Sequence, residues 1–124
     1  MIFTSQNIDI KSNSSFGPHC LHFVFKGKFT EQASLESTEA WKAHTRQFPS
    51  EKFTMVWDCL KMDGFELSAR REWVACMQSE KGQILKVIVI SDNIAIRGAA
   101  YLMLKLFTFE SLVVKSLMEL AQRM

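Results

Sequence analysis

Three acids, three histidines, three cysteines and one serine beside an arginine pair are the side chains of this sequence with chemical potential. Asp58, Glu66 and Asp92 each fall where an ordered element is expected to give way to a loop. Carboxylates gathered from different loops could supply the oxygen ligands of a divalent cation. Their spacing does not require this, and each suits solvent or a backbone-capping hydrogen bond equally well. Cys59 or Cys76 with His44 would be a nucleophile–base pair, but no local signature surrounds either thiol. Cys76 falls on the apolar side of a helical pattern, where a thiol is inert. His19 and His22 flank Cys20 and cannot point the same way on one strand. The glycines are dispersed, so there is no phosphate-cradling loop and no serine-hydrolase elbow. No catalytic residue, metal or cofactor is expected.

Ser68 is different, because it opens a helical pattern. A serine there faces unsatisfied backbone amides and the positive end of the helix dipole. A phosphate on it would be stabilised within the chain, yet would add roughly two negative charges to a surface. Alternatively Ser68 is only a cap, contributing about 1 kcal/mol. Arg70 and Arg71 follow at once, with Glu66, Glu72, Glu80, Lys81 and Lys86 interleaved or near. That is a mixed, solvated face rather than a phosphate-binding stripe.

The 124 residues are one domain, long enough to bury a core without metals or disulfides. Hydrophobic residues make up 48% and charged residues 23%, a globular composition. Fifteen Lys plus Arg against thirteen Asp plus Glu leave a net charge of +2, too little to suggest a nucleic-acid partner. The odd cysteine count without metal or redox spacing suits a reducing compartment. The first residues carry no basic start or long apolar run, so no signal peptide is expected. Residues 84–118 are the most apolar stretch, but Lys86, Asp92, Arg97, Lys105, Glu110 and Lys115 interrupt it. A membrane-spanning helix needs roughly 20 mostly apolar residues without such breaks. A cytoplasmic, non-spanning protein is expected.

Periodicity predicts the elements. Residues 2–11 alternate loosely, with Ile8 and Ile10 on one face, and read as a strand. Residues 20–29 place Leu21, Phe23 and Phe25 on one face and Cys20, His22, Val24 and Lys26 on the other. The loop-rich stretch containing Ser12–Ser15 and Gly17-Pro18 joins these two as a hairpin. Thr30 fits an N-cap; Ala33, Ser37, Ala40, Trp41, His44 and Phe48 then form a helical stripe, closed before Pro49. Residues 53–57 read as a strand covered on both sides and ended by Asp58, followed by a loop over 59–65 with an Asp63-Gly64 turn. A helix over 68–81 is followed by a buried strand at 85–90, whose residues are mostly β-branched. Asp92 and Asn93 offer capping groups to a helix over 94–106, and Arg97 lies in its first turn. A short strand at 112–114 and a helix capped by Ser116 complete the chain; one helix over 112–124 is the alternative. The order predicts an α/β domain with one mixed, mostly parallel sheet of about five strands and crossover helices.

The segment 53–69, Phe-Thr-Met-Val-Trp-Asp-Cys-Leu-Lys-Met-Asp-Gly-Phe-Glu-Leu-Ser-Ala, resembles STAS domains, the sulfate transporter and anti-sigma-factor antagonist family. It looks like that family's central strand ending in Asp, a short loop, and an acidic-Ser-Ser-Gly phosphorylation turn opening a helix. Residues 86–107 are similar to its later strand, polar turn and apolar helix. The pattern spans about 20–120, and it is also similar to lipid-carrier domains of CRAL-TRIO-like shape. Aligned from Asp58, the family's acidic position falls on Glu66, its phosphoacceptor on Leu67, the next Ser on Ser68 and its Gly on Ala69. Leucine has no hydroxyl to phosphorylate, so either Ser68 takes over after a one-residue slip or the switch is absent; the reading adopted is a STAS-like regulatory domain without the usual switch. Its implied contact surface joins Asp58, Glu66, Ser68, Arg70 and Arg71 to Asp92, Asn93 and Arg97. The partner would be another protein, or a second copy in a homodimer.

The helix over 94–106 carries apolar residues around much of its circumference. Ile96, Ala99, Ala100 and Met103 form one stripe, while Tyr101, Leu102 and Leu104 lie off it. Such a surface marks an interface between chains, the wall of a pocket for a hydrophobic small molecule, or a face covered by the C-terminal segment.

Overall fold

The computed structural model describes residues 1–13 and 19–123. The Ser14, Ser15, Gly17 and Pro18 part of the expected hairpin loop lies outside the described residues. The elements in order are β1 (Phe3–Thr4), β2 (Ile8–Ser12), β3 (Cys20–Phe29), α1 (Glu31–Thr45), β4 (Phe53–Phe65), α2 (Leu67–Glu80), a 3₁₀ turn (Lys81–Gln83), β5 (Ile84–Ile90), α3 (Ile94–Leu104), β6 (Glu110–Val114) and α4 (Leu117–Arg123).

They build one six-stranded sheet in the order β1-β2-β3-β4-β5-β6, one strand more than expected. The extra strand arises because residues 2–11 do not run straight. Ser5 Oγ accepts from the amide of Ile8 at 3.1 Å and turns the chain back, so β1 pairs antiparallel with β2. β2 pairs antiparallel with β3, and β3 through β6 are parallel.

A parallel neighbour requires a crossover, and right-handed crossovers that advance in one direction place their helices on one face. α1, α2 and α3 accordingly share one core with Ile8, Ile10, Leu21, Phe23, Phe25, Met55, Trp57, Val87 and Val89. The other face holds a smaller cluster, Cys20, Val56, Ile88, Ile90, Val114 and Leu120, where α4 covers β5 and β6. Beyond α4 that face carries ion pairs, including Lys26–Asp9 at 3.0 Å. The alternation expected for residues 20–29 and for both sides of residues 53–57 holds.

The caps follow the residues. Thr30 accepts from the amide of Ala33 at 3.1 Å, and Asn93 Oδ1 accepts from Ala95 and Ile96 at 2.9 and 3.2 Å. Ser116 accepts from Glu119 at 3.0 Å and separates β6 from α4, so the single-helix alternative for 112–124 is excluded. α1 ends at Thr45, before Phe48 rather than at it. α3 stops at Leu104, two residues short of the expected end. Leu85, read as part of a buried strand, is 54% exposed.

The main departure is β4. Residues 59–65 are strand, not loop, and Asp63-Gly64 makes no turn. The far half of β3 pairs with them, with register shifts between Val24 and Lys26 and between Gly27 and Lys28. Gly27 adopts φ +63° there, a conformation that glycine enters without a Cβ penalty. The result is a β3–β4 ribbon that runs past the end of β5, since Ile90 pairs with Asp58.

Candidate functional site: the α2–α3 end of the sheet

Parallel strands send their crossover helices out from one end, so the starts of α2 and α3 share an end of the sheet. Glu66 is the N-cap residue of α2, although its side chain caps nothing on that helix. Its Oε1 instead accepts from the amide of Glu31 at 2.8 Å, tying the starts of α1 and α2 together. Ser68 therefore lies inside the first turn and is not the cap. Leu67, at the position where the resemblance expects a phosphoacceptor, is 73% exposed. Arg71 is exposed. At the start of α3, Asp92 and Asn93 are exposed, and Arg97 Nη1 donates to the carbonyl of Ser91 at 2.8 Å. Arg97 thus holds its own turn in place.

Asp58 is not part of this group. It lies within β4 between Trp57 and Cys59, both of which face the helices, so its side chain faces the other way. There Oδ1 accepts from the amide of Leu60 at 3.1 Å, and Oδ2 stands 3.8 Å from His22 Nε2. The three acids therefore make no common cation site, and among the described residues no group of three His, Cys, Asp or Glu side chains could hold a metal ion.

The His22 ring and the Leu60 amide hold the Asp58 carboxyl below its ordinary 3.8, against the opposing effect of burial. Because the folded-state value lies below the ordinary one, the ionised carboxylate favours the folded chain at any pH above about 3.8. That advantage fades as the pH falls through the folded value. Asp58→Asn is expected to cost about 1–2 kcal/mol at pH 7. The gap between the two urea midpoints should narrow below the ordinary carboxylate range; a gap that is constant down to pH 2 would contradict the assignment.

The thiols are poor nucleophiles. Burial pushes Cys20 up to about 11 and Cys59 and Cys76 up to about 12. His44 packs against the rings of Phe48 and Phe53, and burial lowers its pKa. No hydrogen bond joins it to a cysteine among the described residues.

A cavity does lie against α3, but it is walled by the Ile96, Ala99, Ala100 and Met103 stripe and not by Tyr101, Leu102 and Leu104. α2 leans on α1, and α3 leans on β5 and β6. Over β4 the two helices leave a cavity of about 60 Å³, lined by Phe25, Phe29, Trp57, Cys59, Met62, Phe65, Arg70, Trp73, Val89, Ile96, Ala99, Ala100 and Met103. Met62, Phe65, Arg70 and Ala99 are the half-buried members of this lining. The extended β3–β4 ribbon supplies one wall. Cys59, Met62 and Phe65 lie in the stretch that reads as a loop from sequence, and the apolar residues within it are the signal for this wall.

Of the apolar trio on α3, Tyr101 and Leu102 are 55% and 62% exposed, whereas Leu104 is 4% exposed and belongs to the core. Ile94, at 80%, at the start of α3 and Leu67 at the start of α2 are exposed as well. No helix is long and apolar enough to cross a membrane.

This is the STAS-like fold, in its SpoIIAA-like form: an α/β domain built on a single mixed sheet with four helices. A crystal structure of an uncharacterised protein of the DUF3478 family from Shewanella loihica, with a SpoIIAA-like fold, superposes with a TM-score of 0.78 at 15% identity, over 98% of both chains. The anti-sigma-factor antagonist SpoIIAA in its unphosphorylated form superposes with a TM-score of 0.64 at 12% identity, over 94% of both chains. At these identities the likeness concerns the fold. No protein-family model and no curated protein matches the sequence.

Proposed function

We propose that this chain is a non-enzymatic interaction domain of the cytoplasm, regulatory in character, that binds another protein through the α2–α3 end of its sheet. The observation that carries this reading is the exposure of Leu67, Ile94, Tyr101 and Leu102 on two helices that start at one end of the fold. Large apolar side chains exposed on two such helices suit contact with a partner better than contact with water. Glu66, Ser68, Arg70 and Arg71 on α2, with Asp92 and Asn93 before α3, would supply its polar rim. The partner is a polypeptide, and a homodimer is its simplest form. The fold shared with an anti-sigma-factor antagonist supports the reading. Leu67 stands in for the phosphoacceptor of the resemblance, so binding here is not switched by phosphoserine.

The test compares the wild-type chain with a Leu102→Asp, Arg71→Glu double variant. Sedimentation velocity and affinity purification from the native host are the measurements. We expect an associated species, or a specific co-purifying protein, that the variant loses by about tenfold or more. A monomeric wild type with the same co-purifying proteins as the variant would overturn the reading.

The cavity favours a second reading, in which the domain carries or senses a small hydrophobic ligand. Its lining is apolar but for one arginine, the pattern of a ligand pocket with few polar groups.

A further inference from the structure

We infer that the cavity selects a compact apolar monocarboxylate, with the carboxylate on Arg70 and Trp57 and the chain among Phe29, Phe65, Ile96 and Met103. The inference rests on the second reading above and adds the chemistry of the ligand's head. Trp57 is 3% exposed, and its indole N–H is buried with no acceptor among the described residues. The Nε of Arg70 is likewise buried without a partner. A buried indole N–H and a buried guanidine N–H each normally find an acceptor. Both residues wall the same cavity, and among the described residues Arg70 is the only charged one in its lining. Glu66, one helical turn before Arg70 at the N-cap of α2, is engaged with the amide of Glu31. Trp41, whose indole N–H is also unpartnered, does not line the cavity.

One ligand group satisfies these conditions together. It must accept two hydrogen bonds, carry negative charge to balance the guanidinium, and be compact. A carboxylate meets all three, since its two oxygens can take one donor each. The about 60 Å³ of room is that of roughly four to six waters by the same measure. A short chain fits; a long acyl chain does not. A larger cleft of about 450 Å³ at the other end of the sheet, lined among others by Lys52, Gln78, Lys81 and Phe107, has no such buried unpartnered donor.

The test uses the full chain labelled with ¹⁵N and titrated with sodium hexanoate, hexylammonium chloride and 1-hexanol. The readout is the indole N–H resonance of Trp57, assigned with Trp57→Phe. Hexanoate is expected to move it saturably, hexylammonium to leave it in place, and hexanol to bind at least about tenfold more weakly. Arg70→Met should weaken hexanoate about tenfold or more and leave hexanol unchanged. An unshifted Trp41 indole resonance would report that this variant is folded. Equal binding of hexanoate and hexanol, or undiminished hexanoate binding by Arg70→Met, would overturn the head-group assignment while sparing the hydrophobic-ligand reading. Failure of all three probes to bind would overturn both.

Discussion

Val87→Asp is expected to leave the chain largely unfolded at neutral pH. Val87 is fully buried in β5, paired with Met55 on one side and Ser111 on the other. A carboxylate there has no cation within the core cluster and must either stay ionised in an apolar medium or take up a proton. The cost is on the order of 5 kcal/mol, comparable with the whole stability of many domains. Leu85→Gln, two residues earlier on the same strand, is expected to change stability by about 0.5 kcal/mol or less, because Leu85 is 54% exposed. Far-ultraviolet circular dichroism with urea titration checks both. A folded Val87→Asp chain with native-like stability would mean that β5 is not an interior strand.

The second large effect is expected from Trp73→Ala. Trp73 is 3% exposed and is the hub of the helix-side core. Its ring stands 5.3–5.7 Å from those of Phe23, Phe25, Phe29, Trp41 and Trp57, mostly edge-to-face. Truncation removes those contacts and leaves a void that rings from three elements cannot all collapse into. The loss should be about 3–5 kcal/mol, with a melting temperature lower by roughly 10–20 °C. A shift of only a few degrees in a calorimetric scan would show that the site relaxes, or that α2 is docked differently.

The parts of this fold that were legible in the sequence are those fixed by short-range pattern. The alternation of Leu21, Phe23 and Phe25 against Cys20, His22 and Val24 assigns two faces to β3, and the structure uses both. Thr30, Asn93 and Ser116 cap as their residue types predict. The extension of β4 was not legible, because Lys61, Asp63 and Gly64 are residues of a loop by type. Only pairing with β3, through shifts permitted near Gly27, makes them a strand. Asp58 changed role for the same reason: a residue read as the strand's end lies within it, on the face away from the helices. The cavity depends on the gap between α2 and α3, a tertiary spacing that no local pattern encodes. Its two unpartnered donors, Trp57 and Arg70, lie on different elements, thirteen positions apart in the sequence. Leu104 was misjudged because helical phase alone does not tell where a helix meets its sheet.

The interaction claim is tested most directly by site-specific photo-crosslinking in the native host. A benzophenone side chain would replace Leu67, Ile94 or Leu102 in turn, with exposed Glu36 of α1 as the comparison position. We predict a discrete crosslinked polypeptide from the first three positions and none from the fourth. Crosslinking that is absent throughout, or equally strong from α1, would contradict the placement of the binding surface at the α2–α3 end.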